Sequence, residues 1–329
     1  MIRIGIIGTN TITEKFVKAA RQAEGAVIAA VYSRTEARAS EYADKHEIEH
    51  RFTSLADLVG SEAIDAVYIA SPNAHHAEQA IQSMNAGKHV LCEKAIASNA
   101  RELERMIEAA KRNDVLLMEA MKPTMTPNFA AVQRNLHKIG KVRRYFASYC
   151  QYSSRYDAYK QGNVMNAFQP NLSNGALMDI GVYCIYPSAV LFGKPQSVKA
   201  EAYMLESGVD GEGSILLKYE DMDAVLMYSK ITNSSLPSEI QGENGNIVID
   251  YISEPGHIQI KYRDGSVEDI TDASNTDDAM KYEIQEFVDL IQAGKRESRI
   301  NSHASSLITM GIMDEARRQI GLVYPADKV

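Results

Sequence analysis

The chain has 329 residues, 45% of them hydrophobic and 24% charged, with a formal net charge of −8, which is room for two domains with ordinary globular cores. The acidic balance, with lysines and arginines scattered among acids, argues against a nucleic-acid or anionic-membrane surface. Three cysteines, Cys92, Cys150 and Cys184, stand far apart with no CxxC, so neither a metal site nor a disulfide framework is expected, and free thiols suit a reducing cytoplasm. No apolar run approaches the length of a membrane span, and the residues after Met1 have neither the length nor the cleavage pattern of a signal peptide.

Residues 3–7 read as a buried strand. Gly8-Thr9-Asn10-Thr11-Ile12-Thr13 reads as the turn out of it, and Phe16, Val17, Ala20 and Ala23 as the apolar face of a helix closed by Gly25. A strand, turn and helix in this place is where a dinucleotide fold seats its pyrophosphate on backbone amides. The glycine fingerprint is partial: Gly8 stands first, while Asn10 and Thr13 replace the second and third glycines. Asn tolerates left-handed geometry, so the turn can still form, and an ordinary strand-to-helix turn fits the same residues. Gly8, Thr9, Asn10, Thr11 and Ile12 are the phosphate candidates.

A second strand, 26–32, ends in Ser33-Arg34, where an NAD-binding fold carries an acid for the ribose hydroxyls. Ser33 can hydrogen-bond a 2′-phosphate and Arg34 can pair with it, so NADP is expected in preference to NAD. The bland alternative is a solvated arginine opening the helix at 35–46. A short helix at 54–58 follows, then an apolar strand at 64–70 ending in Ser71-Pro72-Asn73, and a helix at 74–86 stopped by Gly87. Next comes a buried strand, His89 to Cys92, ending in Glu93-Lys94, then a helix at 99–112 capped by Ser98 and a strand at 115–118. Strands alternating with helices predict an α/β, doubly wound parallel sheet of Rossmann type. Ligands bind outside the carboxyl ends of such strands, which places Ser71, Pro72, Asn73, Glu93 and Lys94 to touch a cofactor. His76 either faces that site or supports the start of its helix.

The pattern changes near Lys122, giving domains of 1–122 for the dinucleotide and 123–329 for substrate and oligomerisation. A strand is expected over 142–153, then strands around Tyr203, 214–219 and 224–229, a hairpin over 239–249, and strands at 257–262 and 266–270. Helices at 282–292 and 303–319 close the chain. Strands joined by short turns predict an α+β domain with a large, mostly antiparallel open sheet. One face would cover helices, and the other would meet a second copy. Within this half, Asp179 and Tyr183 stand four apart around Gly181, one turn apart on a helix face. An acid and a phenol so placed fit a catalytic pair, or a buried tyrosine bonded to a local acid. Arg155, Tyr156 and Asn171, in the loop before Gly175, are candidate substrate contacts or a solvated loop.

Two runs carry a resemblance. Ile-Ala-Ser-Pro-Asn-Ala-His-His (69–76) and Ala-Gly-Lys-His-Val-Leu-Cys-Glu-Lys (86–94) resemble the glucose–fructose oxidoreductase/inositol dehydrogenase (Gfo/Idh/MocA) family. The resemblance implies that Lys94 is the catalytic acid/base and that Glu93 helps hold the cofactor ribose. The family usually follows this Glu-Lys with proline, where this chain has Ala95, so the loop loses a fixed backbone angle. Asn174-Gly175 to Tyr183 is similar to the family's Gly-Gly-x-Leu-x-Asp-x-Gly-x-His, with Tyr183 for the histidine. That substitution, with Met118-Glu119-Ala120 and the ending 314–325, looks like the dimeric dihydrodiol dehydrogenase and NADP-dependent D-xylose dehydrogenase branch.

The implied activity is hydride transfer between a nicotinamide and a carbon bearing oxygen on a sugar, polyol or trans-diol. Lys94 and Tyr183 would hydrogen-bond the reacting oxygen, and Asp179 would orient the substrate or the lysine. Unperturbed Lys and Tyr ionise near ~10, so a cationic nicotinamide and desolvation are needed to poise either for proton transfer. Two other classes fit the same sequence: an NADP-binding sensor without turnover, and a non-redox enzyme using transient hydride transfer. A homodimer is the expected assembly.

Overall fold

Strand β1 (Ile2–Ile7) lies mid-sheet in the computed structural model, which describes residues 1–276 and 278–328. The chain divides into two units, Met1–Ala120 with Met280–His303, and Met121–Ala279 with Ala304–Val329.

In the first unit β1 is followed by α1 (Thr11–Ala20), β2 (Ala26–Tyr32), α2 (Glu36–His46), β3 (His50–Phe52), α3 (Leu55–Gly60), β4 (Ala66–Ile69), α4 (His76–Asn85), β5 (His89–Glu93), α5 (Ala100–Arg112) and β6 (Leu117–Ala120). Six strands lie in the order β3-β2-β1-β4-β5-β6, all parallel. The order reverses between β1 and β4, the switch point where such sheets bind ligands. Strands β4 and β6 are buried at every residue, and β5 from Val90 onward, as expected of a sheet covered by helices on both faces. Side-chain caps set the helix starts. Thr35 accepts from Arg38 N and Ser54 from Asp57 N. The cap of α5 is Asn99 rather than Ser98: Asn99 Oδ1 accepts from Glu102 N at 2.9 Å while Glu102 Oε2 accepts from Ser98 N at 2.9 Å, a reciprocal arrangement of the capping-box kind.

The second unit holds α6 (Pro127–Asn135), β7 (Val142–Cys150), α7 (Tyr156–Lys160), α8 (Val182–Phe192), β8 (Ser197–Met204), β9 (Asp210–Lys218), β10 (Asp223–Ser229), β11 (Ser238–Gly242), β12 (Gly245–Ile249), β13 (Ile258–Tyr262) and β14 (Val267–Asp269). Eight strands form one sheet, β14-β13-β12-β11-β7-β10-β9-β8. Every pairing is antiparallel except β7 with β10, which run parallel from Arg144↔Asp223 to Cys150↔Ser229. The parallel pair departs from a simple meander because residues 151–196 leave the sheet and return at its edge as β8, from which β9 and β10 step back until β10 lies beside β7, and a parallel neighbour requires such a crossover. One face is sealed: Tyr145, Ala147, Ile215, Ala224, Leu226, Ile240, Ile247 and Ile260 are all inaccessible. Elsewhere in the sheet Tyr203 of β8 is 61% and Leu216 of β9 50% exposed.

Two expectations change here. The sequence assigned all of 123–329 to the second domain, but α9 (Met280–Gln292) belongs to the first unit. Its Ile284, Phe287 and Val288 are inaccessible, and α9 packs on α1 and β2. Amphipathic spacing alone does not say which sheet a helix covers. The last helix, α10 (His303–Ile320), lies in the second unit from Ala304 onward. No membrane-length apolar run was expected, yet Pro170–Phe192 is long and apolar enough to cross a membrane by composition, with a mean hydropathy of 1.5. Some 72% of that window is buried inside the protein, and Leu177, Met178, Cys184, Ile185 and Tyr186 are fully covered. It is a core helix of the second unit.

Candidate active site

In the first unit the chemistry gathers where β1, β4 and β5 end. Glu93, the last residue of β5, is 7% exposed. Tyr68 on β4 donates to Glu93 Oε1 at 2.6 Å, and its ring stacks on Phe16 of α1 with centroids 3.6 Å apart. Lys94 follows, half-buried, its own N–H on Glu93 Oε2 at 3.3 Å. The Lys94–Ala95 peptide is cis.

Buried side chains grip the backbone directly after Lys94. Ala95 O meets His76 Nδ1 at 2.9 Å, and Ile96 N donates to Glu119 Oε1 at 3.2 Å. The Cys92 thiol reaches Ile96 O at 3.7 Å. Burial, with the Glu119 and Glu93 carboxylates nearby, pushes that thiol well up, so it stays protonated. His76 was expected either to contact cofactor or to support its helix. It is 0% exposed, and its other nitrogen, Nε2, lies 2.8 Å from Ser71 O. A neutral imidazole carries one N–H and so donates to one of these two carbonyls while facing the other, which places His76 between the loop after β4 and the loop after β5. Burial lowers its pKa to about 4. Ser71 donates its hydroxyl to Gln79 Oε1 at 2.6 Å. Pro72 is half-exposed and leads into the short turn Asn73–His75, whose Asn73 is 9% exposed.

At the end of β1, Gly8 takes φ +114°, and a Cβ there would sit 2.9 Å from Ala70 O, so only glycine fits. Asn10 does not use left-handed geometry as the sequence suggested. It is extended, with φ −97°, and caps α1: its Oδ1 accepts from Ile12 N at 3.1 Å and Thr13 N at 3.2 Å, while its Nδ2 donates to Ala70 O at 2.7 Å. Thr11 is exposed and Ile12 half-buried. A residue the sequence reading missed, Arg38, holds this turn from α2 through Thr9 O at 2.8 Å and Thr9 Oγ1 at 3.1 Å. Its place one helical turn after Arg34 was the available signal. Ser33 is half-buried, and Arg34 is exposed with no side-chain hydrogen bond among the described residues. A glycine-lined turn, a capped helix N-terminus and an uncommitted guanidinium fit the phosphates of a dinucleotide.

In the second unit a π-helical turn, Leu177–Gly181, runs into α8. Such turns are rare and cluster at functional sites. Asp179 lies in the π turn and Tyr183 in the first turn of α8, its ring edge-on to Tyr149 at 5.6 Å. Gly181 admits the Tyr228 ring, which a Cβ would meet at 3.2 Å. Asp179 is ion-paired with Lys230, whose side chain is 3% exposed against 36% for the aspartate. Asp210, at the start of β9, anchors the turn by accepting Leu177 N at 2.6 Å. Asp210 is fully buried, its Oδ1 has no partner, and burial pushes its pKa up to about 6. Gly175, at φ +147°, leaves room for this carboxylate, since a Cβ would fall 2.1 Å from Oδ1.

The sequence reading missed both Asp210 and Lys230. For Lys230 there was a signal: an apolar strand ending in lysine, the same signature that singled out Lys94. Of the substrate candidates, Tyr156 packs among Tyr152, Tyr159 and Phe168 at 5.6–5.9 Å. Arg155 and Asn171 are exposed.

Residues 2–121 match the Gfo/Idh/MocA model described as an oxidoreductase family with an NAD-binding Rossmann fold, and residues 135–248 match the Gfo/Idh/MocA C-terminal domain. The chain belongs to the Gfo/Idh/MocA family of oxidoreductases. It is 58% identical over 328 residues to the NADP(+) scyllo-inositol 2-dehydrogenase IolU of Bacillus subtilis (strain 168), covering 100% of both chains. It is 34% identical over 347 residues to the trans-1,2-dihydrobenzene-1,2-diol dehydrogenase of Danio rerio, covering 99% of each. The fold is shared with KijD10, a 3-ketoreductase from Actinomadura kijaniata in complex with NADP and TDP-benzene. That comparison gives a TM-score of 0.85 at 24% identity over 97% of this chain and 98% of that one. The two matched ranges include Glu93-Lys94 in the first and Asp179, Gly181 and Tyr183 in the second.

Proposed function

We propose that this Gfo/Idh/MocA oxidoreductase is an NADP-dependent dehydrogenase that oxidises one secondary hydroxyl of a cyclic polyol or diol, and runs the reverse reduction. The observation that carries the reading is Lys94, half-exposed at the end of a buried strand, with Glu93 fixed by Tyr68 before it and His76 and Glu119 gripping the chain after it. Such a flank restrains where the ammonium can go, which is what an acid/base group needs.

Bound nicotinamide supplies the hydride acceptor or donor. The Gly8–Ile12 turn and the start of α1 hold the pyrophosphate, Glu93 the nicotinamide-side ribose, and Ser33 and Arg34 the 2′-phosphate. Ser71, Pro72 and Asn73 line the same cofactor. In oxidation Lys94 Nζ takes the hydroxyl proton as the hydride leaves, and in reduction it returns one. Tyr183 hydrogen-bonds the same oxygen, and Asp179 fixes a substrate hydroxyl. Arg155, Tyr156 and Asn171 remain candidates for the outer hydroxyls.

Scyllo-inositol and trans-1,2-dihydrobenzene-1,2-diol, the substrates named for two relatives, share a six-membered ring with neighbouring trans hydroxyls. That motif is the proposed substrate class. The test is formation of reduced nicotinamide with NADP⁺ or NAD⁺ against scyllo-inositol, myo-inositol, a trans-dihydrodiol, D-xylose and D-glucose, with Lys94→Ala as control. A Lys94-dependent signal on a ring diol or polyol is expected. Turnover confined to the aldoses would overturn the substrate class, and turnover untouched by Lys94→Ala would overturn the mechanism.

A homodimer through the open face of the eight-stranded sheet is part of the same reading, supported by Tyr203 and Leu216 exposed there. Light scattering at working concentration tests it. A cytoplasmic setting is supported by three free cysteines.

A further inference from the structure

We infer that Lys230 is a positioning residue of the dehydrogenase, acting on the reaction through Asp179. The inference rests on the reading above that Asp179 fixes a substrate hydroxyl.

Burying an ammonium is costly unless it is paired. Lys230 is 2% exposed overall, and among the described residues two groups lie against its ammonium, with the buried Asp210 carboxylate close enough to feel its charge. One is the Asp179 carboxylate, and the other is the face of Phe168, with Nζ 5.3 Å from the ring centroid, inside the range of a cation–π contact. The backbone of Lys230 is pinned on both sides. Its N–H donates to Gly211 O at 2.9 Å, and its carbonyl accepts from Ser153 N at 2.9 Å. The next turn is locked too, with Ile231 N and Thr232 N on Ser229 Oγ at 3.2 and 2.9 Å. The lysine stem therefore leaves a rigid strand end, and its charge is delivered to one place.

The pair is lopsided. A surface ion pair has two exposed partners, and a core pair two buried ones. Here the cation is sealed inside while the carboxylate keeps 36% of its side-chain surface. The carboxylate also stands on a π turn, which alters the direction of its side chain relative to a plain α-helix. Lys230 thus holds Asp179 from the protein side, in one orientation and as the anion. An anion in fixed orientation accepts a hydrogen bond from a substrate hydroxyl without reorganising when the substrate arrives.

The experiment is a double-mutant cycle on the full chain with NADP⁺ and the best ring polyol or diol: Lys230→Met, Asp179→Asn and the double variant, with Lys230→Gln and Lys230→Arg alongside. Each is checked for melting temperature and for NADPH affinity by fluorescence, since the cofactor is assigned to the first unit. Expected are a 50-fold or greater loss of kcat/KM in Lys230→Met carried mostly by kcat, on the order of that for a lost oriented contact, NADPH affinity within about twofold, and partial recovery in Lys230→Arg. The double variant is expected to be no slower than Asp179→Asn alone. Losses that multiply independently, or a Lys230→Met or Lys230→Gln enzyme that folds and turns over normally, would overturn the role of Lys230 while leaving that of Asp179. An Asp179→Asn enzyme with full turnover would overturn the underlying reading of Asp179 as well.

Discussion

The phenol of Tyr68 donates a 2.6 Å hydrogen bond to Oε1 of Glu93, from the neighbouring strand of the same sheet. Both residues are buried, so the bond sets where the carboxylate beside Lys94 points. Tyr68→Phe keeps the stack on Phe16 and removes the donor. Leaving a buried carboxylate short of a partner costs about 1–3 kcal/mol, so a lower melting temperature and weaker NADPH binding are expected. A variant matching the parent in both would show that Glu93 is held without Tyr68.

Lys94→Ala should leave the fold and NADPH affinity nearly intact while kcat/KM falls by about 10²–10⁴, the usual contribution of a positioned acid/base. Single-turnover hydride transfer checks it, because that step isolates proton and hydride movement from product release.

Arg34→Ala addresses cofactor choice. A charge-assisted contact to the 2′-phosphate contributes about 1.5–3 kcal/mol, so the KM for NADP⁺ should rise roughly 10- to 150-fold while that for NAD⁺ barely moves. Arg38→Ala should behave differently. Arg38 holds Thr9 in the pyrophosphate turn, so both cofactors should weaken together. Steady-state kinetics with each cofactor separates the two patterns.

Two buried groups give opposite pH signatures. His76 titrates near 4 in the folded protein, below its ordinary value, because burial disfavours its cation. Its contribution is therefore present above about pH 6.5 and lost as the pH falls towards 4. Asp210 is raised to about 6 by burial. Its contribution is complete below about pH 3.8 and lost as the pH rises through 6. Each effect is on the order of 3 kcal/mol. Melting curves of His76→Gln and Asp210→Asn against the parent between pH 4 and 7 should diverge in opposite directions. Parallel curves for either variant would remove that group from the account.

The half of the site built on strands was legible because strand ends carry their chemistry in contiguous letters. The run His89–Lys94 reads as a strand that finishes in an acid and a base, and the fold places it as read. The turn after β1 was legible only in outline. Asn10 replaces a glycine by capping α1 and bonding Ala70 O, and the second of these contacts joins residues 60 apart, which no local pattern displays. Asp210 was missed for the same reason, since its partner, Leu177 N, lies far off in sequence; Lys230 did end a readable apolar strand, but its partner Asp179 lies 51 residues away. The parallel pairing of β7 with β10 was hidden because strand propensity carries no direction.

The return of Met280–His303 to the first unit has a consequence for dissection and exchange. Stopping the chain at Ala120 would strip α1 and β2 of the helix that covers them, baring apolar surface that invites aggregation. Glu24 N would also lose Gln285 Oε1, 2.8 Å away. The nucleotide half is therefore not a module that one truncation can release. A chimera that transplants it into another scaffold must carry two stretches of gene, one from each side of residues 121–279, and a library that recombines at a single junction would separate two pieces of one fold.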